Sequence, residues 1–229
     1  MASETARRPR SIVLVSGGLD SIVSLACAVR ERDVRAVMFF DYGQRARESE
    51  RVSAMSAANY YGLPFQDVDV RWLESLSPPG MQSSTRAHAG EKPESLTSLD
   101  DVWIPNRNGV FVNIAAAFAE HERCDTIVTG FNREEAEEFP DNSGEFVERA
   151  NRALELSTRN HVRVESFTID LDKPAILRRG LELKAPLSIV WSCYRSGERM
   201  CGYCASCRRL RVALSSLPSA DRPVIEFEA

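Results

Sequence analysis

A short glycine-rich segment near the amino terminus has the residue types that hold phosphate. The apolar run 11–15 leads into residues 16–21, SGGLDS, and a helical pattern follows. Glycines let the backbone approach an anion, and N–H groups at a helix amino terminus favour negative charge. Ser16 and Ser21 can donate hydroxyl hydrogen bonds, whereas Asp20 needs a cation such as Mg²⁺ or a helix-capping role. The alternative is an ordinary glycine turn with a helix cap.

Four cysteines close to the carboxyl terminus have the spacing of a metal site. Cys201, Cys204 and Cys207 follow one another at intervals of three residues, and Cys193 precedes them. Structural zinc prefers four tetrahedral ligands, often thiolates, with no position left for water. An iron–sulfur cluster also takes four thiolates, so it remains an alternative, as do unligated thiols. The pattern predicts a closed zinc site, and its negative charge is expected to be offset by Arg195, Arg199, Arg208 and Arg209.

The composition excludes several classes of protein. The chain has 229 residues, of which 43% are hydrophobic, and its net charge of -4 argues against a general nucleic-acid-binding surface. No apolar run approaches the ~20 residues that cross a bilayer, and residues 1–10 lack the apolar stretch of a secretory signal. We therefore expect a cytoplasmic protein without membrane or direct nucleic-acid contacts. Cys27 and Cys124 are expected to be core residues.

Alternating strand and helix patterns predict the elements that position these two motifs. The expected strands are 11–15, 34–40, 65–70, 126–130 and 162–169, and the expected helices are 20–30, 48–61, 108–121, 143–158 and 173–183. This alternation predicts an α/β fold with a doubly wound, mostly parallel, Rossmann-like sheet.

The domain organisation follows from the same patterns. We expect a disordered amino terminus at 1–10, a nucleotide-binding domain at 11–185, and a helical zinc-binding segment at 186–229 that packs on it. Residues 76–101 are rich in Pro and Ser and lack periodicity, which predicts a mobile lid or substrate loop.

The SGGLDS segment after a first strand resembles the PP-loop of ATP pyrophosphatases. That resemblance implies a fold of the adenine nucleotide alpha hydrolase type. It also implies that ATP is split between its α and β phosphates and that a substrate oxygen is adenylated. The motif is typical of the superfamily and does not identify the substrate.

Further motifs, in the same order along the chain, resemble the 7-cyano-7-deazaguanine synthase family. They are FDYGQR at 40–45, IPNRN at 104–108, TG at 129–130, FPD at 139–141, DK at 172–173, SCY at 192–194 and CGYCASC at 201–207. The resemblance implies an ATP-dependent ligase of queuosine- or archaeosine-type biosynthesis. Such an enzyme adenylates the carboxylate of 7-carboxy-7-deazaguanine and then the amide, so that ammonia yields the nitrile. It also implies a homodimer, one structural Zn²⁺ per chain, and ATP with Mg²⁺.

The loop chemistry and the resemblance together predict the site residues. The catalytic residues are expected to be Asp20, Ser16, Lys173 and Arg107. The nucleotide contacts are expected to be Val15, Ser16, Gly17, Gly18, Leu19, Asp20, Ser21, Phe40, Tyr42, Gln44, Arg45 and Gly130. The substrate contacts are expected to be Arg107, Asn108, Phe139 and Asp141. The metal ligands are expected to be Cys193, Cys201, Cys204 and Cys207.

Some of these residues have competing explanations. Asn108 also fits a helix N-cap, and Arg45 and Lys173 also fit a solvated surface. The acidic run at 134–138 is typical of a solvated helix face.

Other functions share the same motifs. A related enzyme could stop at the amide or join the deazaguanine acyl group to another amine. A tRNA-thiolation-type adenylating enzyme would need a basic RNA-binding face, and a zinc-stabilised module could bind ATP without turnover.

Overall fold

A parallel β-sheet forms the centre of the computed structural model, which describes residues 7–83 and 99–228. Its strands are β1 (Arg10–Leu14), β2 (Asp33–Asp41), β3 (Phe65–Asp69), β4 (Thr126–Thr129) and β5 (Arg163–Ser166). They lie in the order β3-β2-β1-β4-β5, and every neighbouring pair is parallel. Because the order reverses direction beside β1, the carboxyl ends of β1 and β4 border a crevice suited to ligands.

Seven α-helices join and flank the strands in the described residues. They are α1 (Leu19–Glu31), α2 (Arg47–Tyr60), α3 (Arg107–His121), α4 (Arg133–Ala136), α5 (Gly144–Ser157), α6 (Lys173–Glu182) and α7 (Ala205–Ser215). The prediction of a doubly wound parallel sheet is therefore confirmed.

Successive strand residues point to opposite faces of the sheet, and each face has its own core. Val13 and Phe39 belong to the layer that includes α1, α2, α6 and α7. Ile12 and Phe40 belong to the layer that includes α3 and α5. The carboxyl-terminal segment shares the first of these layers, because Leu210 and the four clustered cysteines lie in it.

Two elements differ from the sequence-based prediction. Strand β5 ends at Ser166 rather than at 169, because the Ser166 and Thr168 hydroxyls both donate to the Phe131 carbonyl at 2.7 and 2.8 Å. These side-chain bonds turn the chain away from the sheet. The acidic run contains the short helix α4, which the Asn132 side chain caps by accepting from the Glu135 N–H at 3.0 Å.

Residues 84–98, most of the expected lid, and residues 1–6 of the expected disordered terminus lie outside the described residues. Either side of the gap, Pro79–Met81 and Leu99–Asp101 form short 3-10 turns. No helix in the described ranges has the length and apolar character needed to cross a membrane.

Candidate active site and metal centre

The phosphate-type loop connects β1 to α1 and depends on one glycine conformation. Gly17 has φ +88°, and a Cβ there would lie 2.8 Å from both the Glu50 carbonyl oxygen and the Ser53 Cβ. Only glycine combines this left-handed backbone with so close a contact. The loop must therefore pack directly against α2.

The start of α1 leaves its backbone donors available. Gly18 occupies the N-cap position without a side-chain hydrogen bond, and Asp20 lies in the first turn, so the interpretation of Asp20 as a helix cap is wrong. The Ser21 hydroxyl donates to the Gly18 carbonyl at 3.0 Å and lies 3.3 Å from the Ser16 hydroxyl. Uncapped N–H groups with adjacent hydroxyls form a suitable anion site.

The end of β4 packs against this helix start. A Cβ on Gly130 would lie 2.8 Å from the Ser21 nitrogen, so a larger residue would push β4 away from α1. Gly130, predicted as a nucleotide contact, therefore lies directly against the start of α1.

A buried ion triad lies beside the loop. Lys173, the first residue of α6, contacts the Asp20 carboxylate and lies 2.7 Å from Glu135 Oε1. The Lys173 side chain is only 10% exposed, so its interpretation as a surface residue is wrong. The solvated-face interpretation of the acidic run is likewise wrong for Glu135, because this carboxylate turns inward to Lys173.

The triad carries more negative than positive charge. Burial raises the pKa of Asp20 to about 6, with the Lys173 charge opposing this rise and the Glu135 charge adding to it. Burial lowers the pKa of Lys173, but Asp20 and Glu135 outweigh it and the net shift is upward. Asp20 Oδ1 is buried without a hydrogen-bond partner in the described part of the chain. Two carboxylates, one ammonium and an unpaired oxygen fit an additional cation.

A cavity of about 250 Å³ opens in front of the loop at the carboxyl ends of β1, β2 and β4. It brings together most of the predicted site residues: Val15, Ser16, Gly18, Asp20, Ser21, Phe40, Tyr42, Gln44, Arg107, Asn108, Gly130, Phe139 and Lys173. These residues come from six separate stretches of chain, and the fold alone joins them.

Four predicted contacts do not line this cavity. Leu19 is buried in the core, and Gly17 faces α2. Arg45 donates its N–H to the Met81 carbonyl at 2.8 Å, and its own carbonyl accepts from Ser196 at 3.2 Å. Asp141 does not line the cavity, but its backbone carbonyl accepts a 3.3 Å hydrogen bond from the side chain of Asn108, which does.

The helix cap before α3 also differs from the sequence-based interpretation. The N-cap residue is Asn106, with φ 54° and no side-chain capping bond, while Asn108 lies inside the first turn. The interpretation of Asn108 as the N-cap is therefore wrong. Its amide is buried and bonds across to the segment before α5.

Another part of the cavity lining is aromatic and contains the half-buried Arg107. Phe40 stacks on Phe111 with centroids 4.2 Å apart, and the Arg107 guanidinium lies 5.4 Å from the Tyr42 ring centroid. Arg107 donates to the Tyr42 hydroxyl at 3.4 Å, but its Nε is buried with no partner among residues 7–83 and 99–228. An anionic ligand would satisfy this donor.

Sequence reasoning missed several lining residues, among them Glu50, Phe111, Glu135, Tyr194 and Arg209. Glu50 accepts from the Gln44 side chain at 2.9 Å, and burial raises the pKa of its carboxyl to about 7. The spacing of Glu50 with the buried Ser53, Ala54 and Ala57 was a usable signal, since all four share one face of α2. Burial raises the pKa of Tyr194 to about 12, the Glu135 charge adds to the rise, and the charges of Arg209 and Lys173 oppose it.

The cysteine cluster is compact and buried. The sulfurs of Cys193, Cys201, Cys204 and Cys207 all lie within 4.8 Å of one another, and none forms a disulfide. Cys201 and Cys207 have sulfurs 3.8 Å apart. A tetrahedral ion with bonds of ~2.3 Å would separate its sulfurs by about 3.8 Å, so the arrangement fits a metal such as zinc.

Backbone N–H groups surround the sulfurs. The Cys201 N–H donates to Cys193 Sγ at 3.5 Å, the Cys204 N–H to Cys201 Sγ at 3.4 Å, and the Cys207 N–H to Cys204 Sγ at 3.5 Å. Cys204 is also the N-cap of α7, where the helix dipole favours negative charge.

The expected compensation by arginines is wrong for two of the four candidates. Arg199 pairs with Glu226 at 3.1 Å, and Arg209 pairs with Glu138 at 2.5 Å. Arg195 donates to the Tyr203 hydroxyl, and Arg208 is exposed. The N–H groups of the chain and the dipole of α7 therefore contribute compensation in place of Arg199 and Arg209.

The metal-binding segment contacts the phosphate-type loop directly. The Trp191 N–H donates to the Gly17 carbonyl at 2.9 Å, and the Ser53 hydroxyl lies 3.0 Å from that carbonyl and 2.7 Å from the Ile189 carbonyl. This segment also supplies part of the cavity wall, namely Trp191, Ser192, Tyr194, Ser206 and Arg209.

Comparisons with known proteins agree with this architecture. Residues 10–217 match the family model described as queuosine biosynthesis protein QueC. The chain is 48% identical over 207 residues to the 7-cyano-7-deazaguanine synthase of Pelotomaculum thermopropionicum, covering 87% of this chain and 94% of that protein. It is 41% identical to the protein of the same name from Methanosarcina barkeri, covering 95% of this chain and 98% of that one.

A solved 4-thiouridine synthetase–RNA complex with bound ATP has a similar fold. Its TM-score is 0.50 at 17% identity, and the match covers 93% of this chain and 52% of that one. At this identity the likeness concerns the fold alone.

Proposed function

Since the chain belongs to the queuosine biosynthesis protein QueC family, we propose that it converts 7-carboxy-7-deazaguanine and ammonia into 7-cyano-7-deazaguanine by two adenylations. The family match confirms the resemblance seen in the sequence, and relatives named as synthases make the chain an enzyme of this ATP-dependent ligase type. The observation that supports the proposal best is that one cavity joins the phosphate-type loop to Arg107, whose buried Nε has no partner among the described residues.

In the proposed reaction, each oxygen of the substrate carboxylate attacks one ATP and leaves as part of one AMP. A carboxylate oxygen attacks the α-phosphorus of ATP, and pyrophosphate leaves with the electron pair of the broken P–O bond. Ammonia then attacks the acyl carbon, AMP departs with that oxygen, and a proton is released to give the amide. The amide oxygen attacks a second ATP in the same way. Loss of AMP and of the two protons on nitrogen leaves the nitrile.

The loop residues would hold the phosphates. In this proposal the hydroxyls of Ser16 and Ser21 and the N–H groups at the start of α1 donate to phosphate oxygens, and Lys173 neutralises their charge. Asp20, with Glu135 beside it, would hold Mg²⁺. When bound, Mg²⁺ supplies charge neutralisation along the phosphate chain.

The remaining assignments keep the predicted roles. Arg107 would bind the substrate carboxylate, because it lines the cavity and its buried Nε has no partner in the described chain. The other proposed substrate contacts are Asn108, Phe139 and Asp141. The other proposed nucleotide contacts are Val15, Gly17, Gly18, Leu19, Phe40, Tyr42, Gln44, Arg45 and Gly130.

The four cysteines would hold one structural Zn²⁺. Their sulfur spacing supports this proposal, and a site with four sulfur ligands leaves no position for substrate. Elemental analysis of the purified protein should give one zinc per chain. Iron with inorganic sulfide and a visible absorbance band would contradict it.

The organisation of the chain stays a proposal. We propose that 11–185 is the nucleotide-binding domain and that 186–229 is a metal-stabilised segment closing one side of the site. A homodimer and a cytoplasmic location also stay predictions. Sedimentation would test the first, because a monomer at high protein concentration would contradict it.

Product analysis tests the proposed reaction. Purified protein incubated with ATP, Mg²⁺, ammonium and 7-carboxy-7-deazaguanine should yield the nitrile by mass spectrometry, with AMP and pyrophosphate. Formation of ADP and phosphate would contradict the loop assignment. An amide or acyl conjugate as the final product would contradict the nitrile assignment alone.

A further inference from the structure

The chain around Cys193 connects the metal centre to the cavity. Cys193 turns its buried sulfur toward the other cysteines, while its neighbours Ser192 and Tyr194 line the cavity. The backbone is fixed two residues earlier by the bond from the Trp191 N–H to the Gly17 carbonyl. The backbone at Tyr194 is therefore positioned by Cys193 in the sulfur cluster and by the bond from Trp191 to the phosphate-type loop.

The Tyr194 hydroxyl has no hydrogen-bond partner in the part of the chain that the structure describes. By contrast, the hydroxyls of Tyr42 and Tyr203 both accept from arginines. Tyr194 lines the same cavity as Glu135 and Lys173 of the ion triad. A phenol keeps its proton at neutral pH and is a hydrogen-bond donor.

This donor belongs to the same cavity as the phosphate-type loop, where the proposed reaction develops negative charge. Lys173 and Asp20 mark the phosphate end of the cavity, and their own charges are engaged with each other. A neutral donor there would stabilise the developing negative charge without adding a fourth charged group to the ion triad. Preorganised donors directed at developing negative charge are among the largest contributions to catalysis.

We propose that Tyr194 is a catalytic residue whose hydroxyl donates a hydrogen bond to a non-bridging oxygen of the reacting α-phosphate, a proposal that rests on the function assigned above. As the substrate oxygen bonds to the α-phosphorus, the bond to the pyrophosphate oxygen breaks and pyrophosphate takes its electron pair. Tyr194 keeps its proton throughout. The same contact serves the carboxylate and amide steps, because both place charge on the same phosphoryl oxygens.

In this proposal the four cysteines would hold the metal without an open position for substrate, and Cys193 would fix the backbone next to Tyr194. Tyr203 offers a matched control, because it lies in the same metal-binding loop, bonds Arg195 and does not line the cavity.

The test compares Tyr194→Phe with Tyr203→Phe in the full chain, using ATP, Mg²⁺, ammonium and 7-carboxy-7-deazaguanine. Tyr194→Phe should lower kcat for pyrophosphate release by about 100-fold, the loss typical of removing one such donor. The KM and calorimetric Kd for ATP, the metal content and the Tm should match the wild-type protein. Tyr203→Phe should keep the wild-type kcat.

The possible outcomes separate the two proposals. Equal kcat in Tyr194→Phe and wild type would overturn the role of Tyr194 and leave the proposed function standing. Lost metal, a lowered Tm, or a loss carried by KM would also overturn it, because Tyr194 would then serve folding or binding. Absence of turnover by the wild-type protein would overturn the proposed function itself, and the role of Tyr194 with it.

Discussion

The phosphate-type loop and the cysteine cluster share a boundary but are built in opposite ways. The cluster draws its four sulfurs from residues 193–207, buries all of them, and supplies N–H donors to three of them from its own backbone. The loop depends on Asp20, Glu135 and Lys173, which come from three helices far apart in the chain. It leaves a carboxylate oxygen and several donors unsatisfied. The closed region therefore fits a structural role, and the open region fits ligand binding and chemistry.

The largest effect is expected at the open region. Asp20→Asn keeps the shape of the side chain but removes the charge that we assign to the cation, so kcat should fall by about 1,000-fold. Glu135 still pairs with Lys173, so the Tm should change little. Asp69→Asn, at the end of β3 and outside the cavity, is the control for pyrophosphate release. Activity within tenfold of wild type would remove Asp20 from the catalytic site.

The second prediction concerns the closed region. Cys204→Ser removes one of four sulfur ligands, so the protein should lose its metal and about 3 kcal/mol of stability, because metal binding and folding of the segment are linked. Cys27→Ala alters a buried thiol of the same core layer and should keep the metal. Metal content and thermal unfolding measure both variants. A Cys204→Ser protein with full metal content and the wild-type Tm would contradict the proposed ligand set.

The third prediction tests the contact between the regions. The Ser53 hydroxyl bonds carbonyls of both the loop and the metal-binding segment, at Gly17 and Ile189. Ser53→Ala should lower the free energy of unfolding by about 1.5 kcal/mol and weaken ATP binding a few-fold, because carbonyls on both sides lose a donor. Ser56→Ala, one turn along the same helix, is the control. A loss of stability with unchanged ATP affinity would show that the two regions act independently.

The smallest effect is expected in the pH dependence of stability. Burial raises the pKa of Glu50 to about 7 from 4.5, and this opposes ionisation in the folded state. The wild-type protein should therefore lose stability as the pH rises from 4.5 to about 7, since the unfolded chain ionises first. Asp20, whose pKa burial raises to about 6, contributes to the same loss, so Glu50→Gln should remove only the Glu50 part of it. The variant should gain about 1 kcal/mol above pH 7, after allowance for partial exposure.

Glu48→Gln, at an exposed position of the same helix, is the control for Glu50→Gln. Its stability should follow the wild-type curve in urea unfolding at each pH. Parallel curves for Glu50→Gln and wild type would contradict the assigned shift.

The same contrast between local and distant contacts explains what the sequence could predict. The alternation of strands and helices predicted the sheet, and the cysteine spacing predicted the cluster, because both are local patterns. Glu135 could not be found in this way, because an acidic run resembles an exposed face until α6 brings Lys173 beside it. Arginines near the cysteines in sequence suggested charge compensation. Because arginine side chains are long, Arg199 and Arg209 form ion pairs with glutamates instead.

Isotope transfer from the substrate tests the central claim most directly, namely that substrate oxygens attack the α-phosphorus at the loop and leave with AMP. The experiment uses 7-carboxy-7-deazaguanine labelled with ¹⁸O in both carboxylate oxygens, with ammonium and ATP, and mass spectrometry of every product. The account predicts an unlabelled nitrile, with each label recovered in a molecule of AMP and none in pyrophosphate. Label in phosphate or pyrophosphate, or AMP without label, would contradict it.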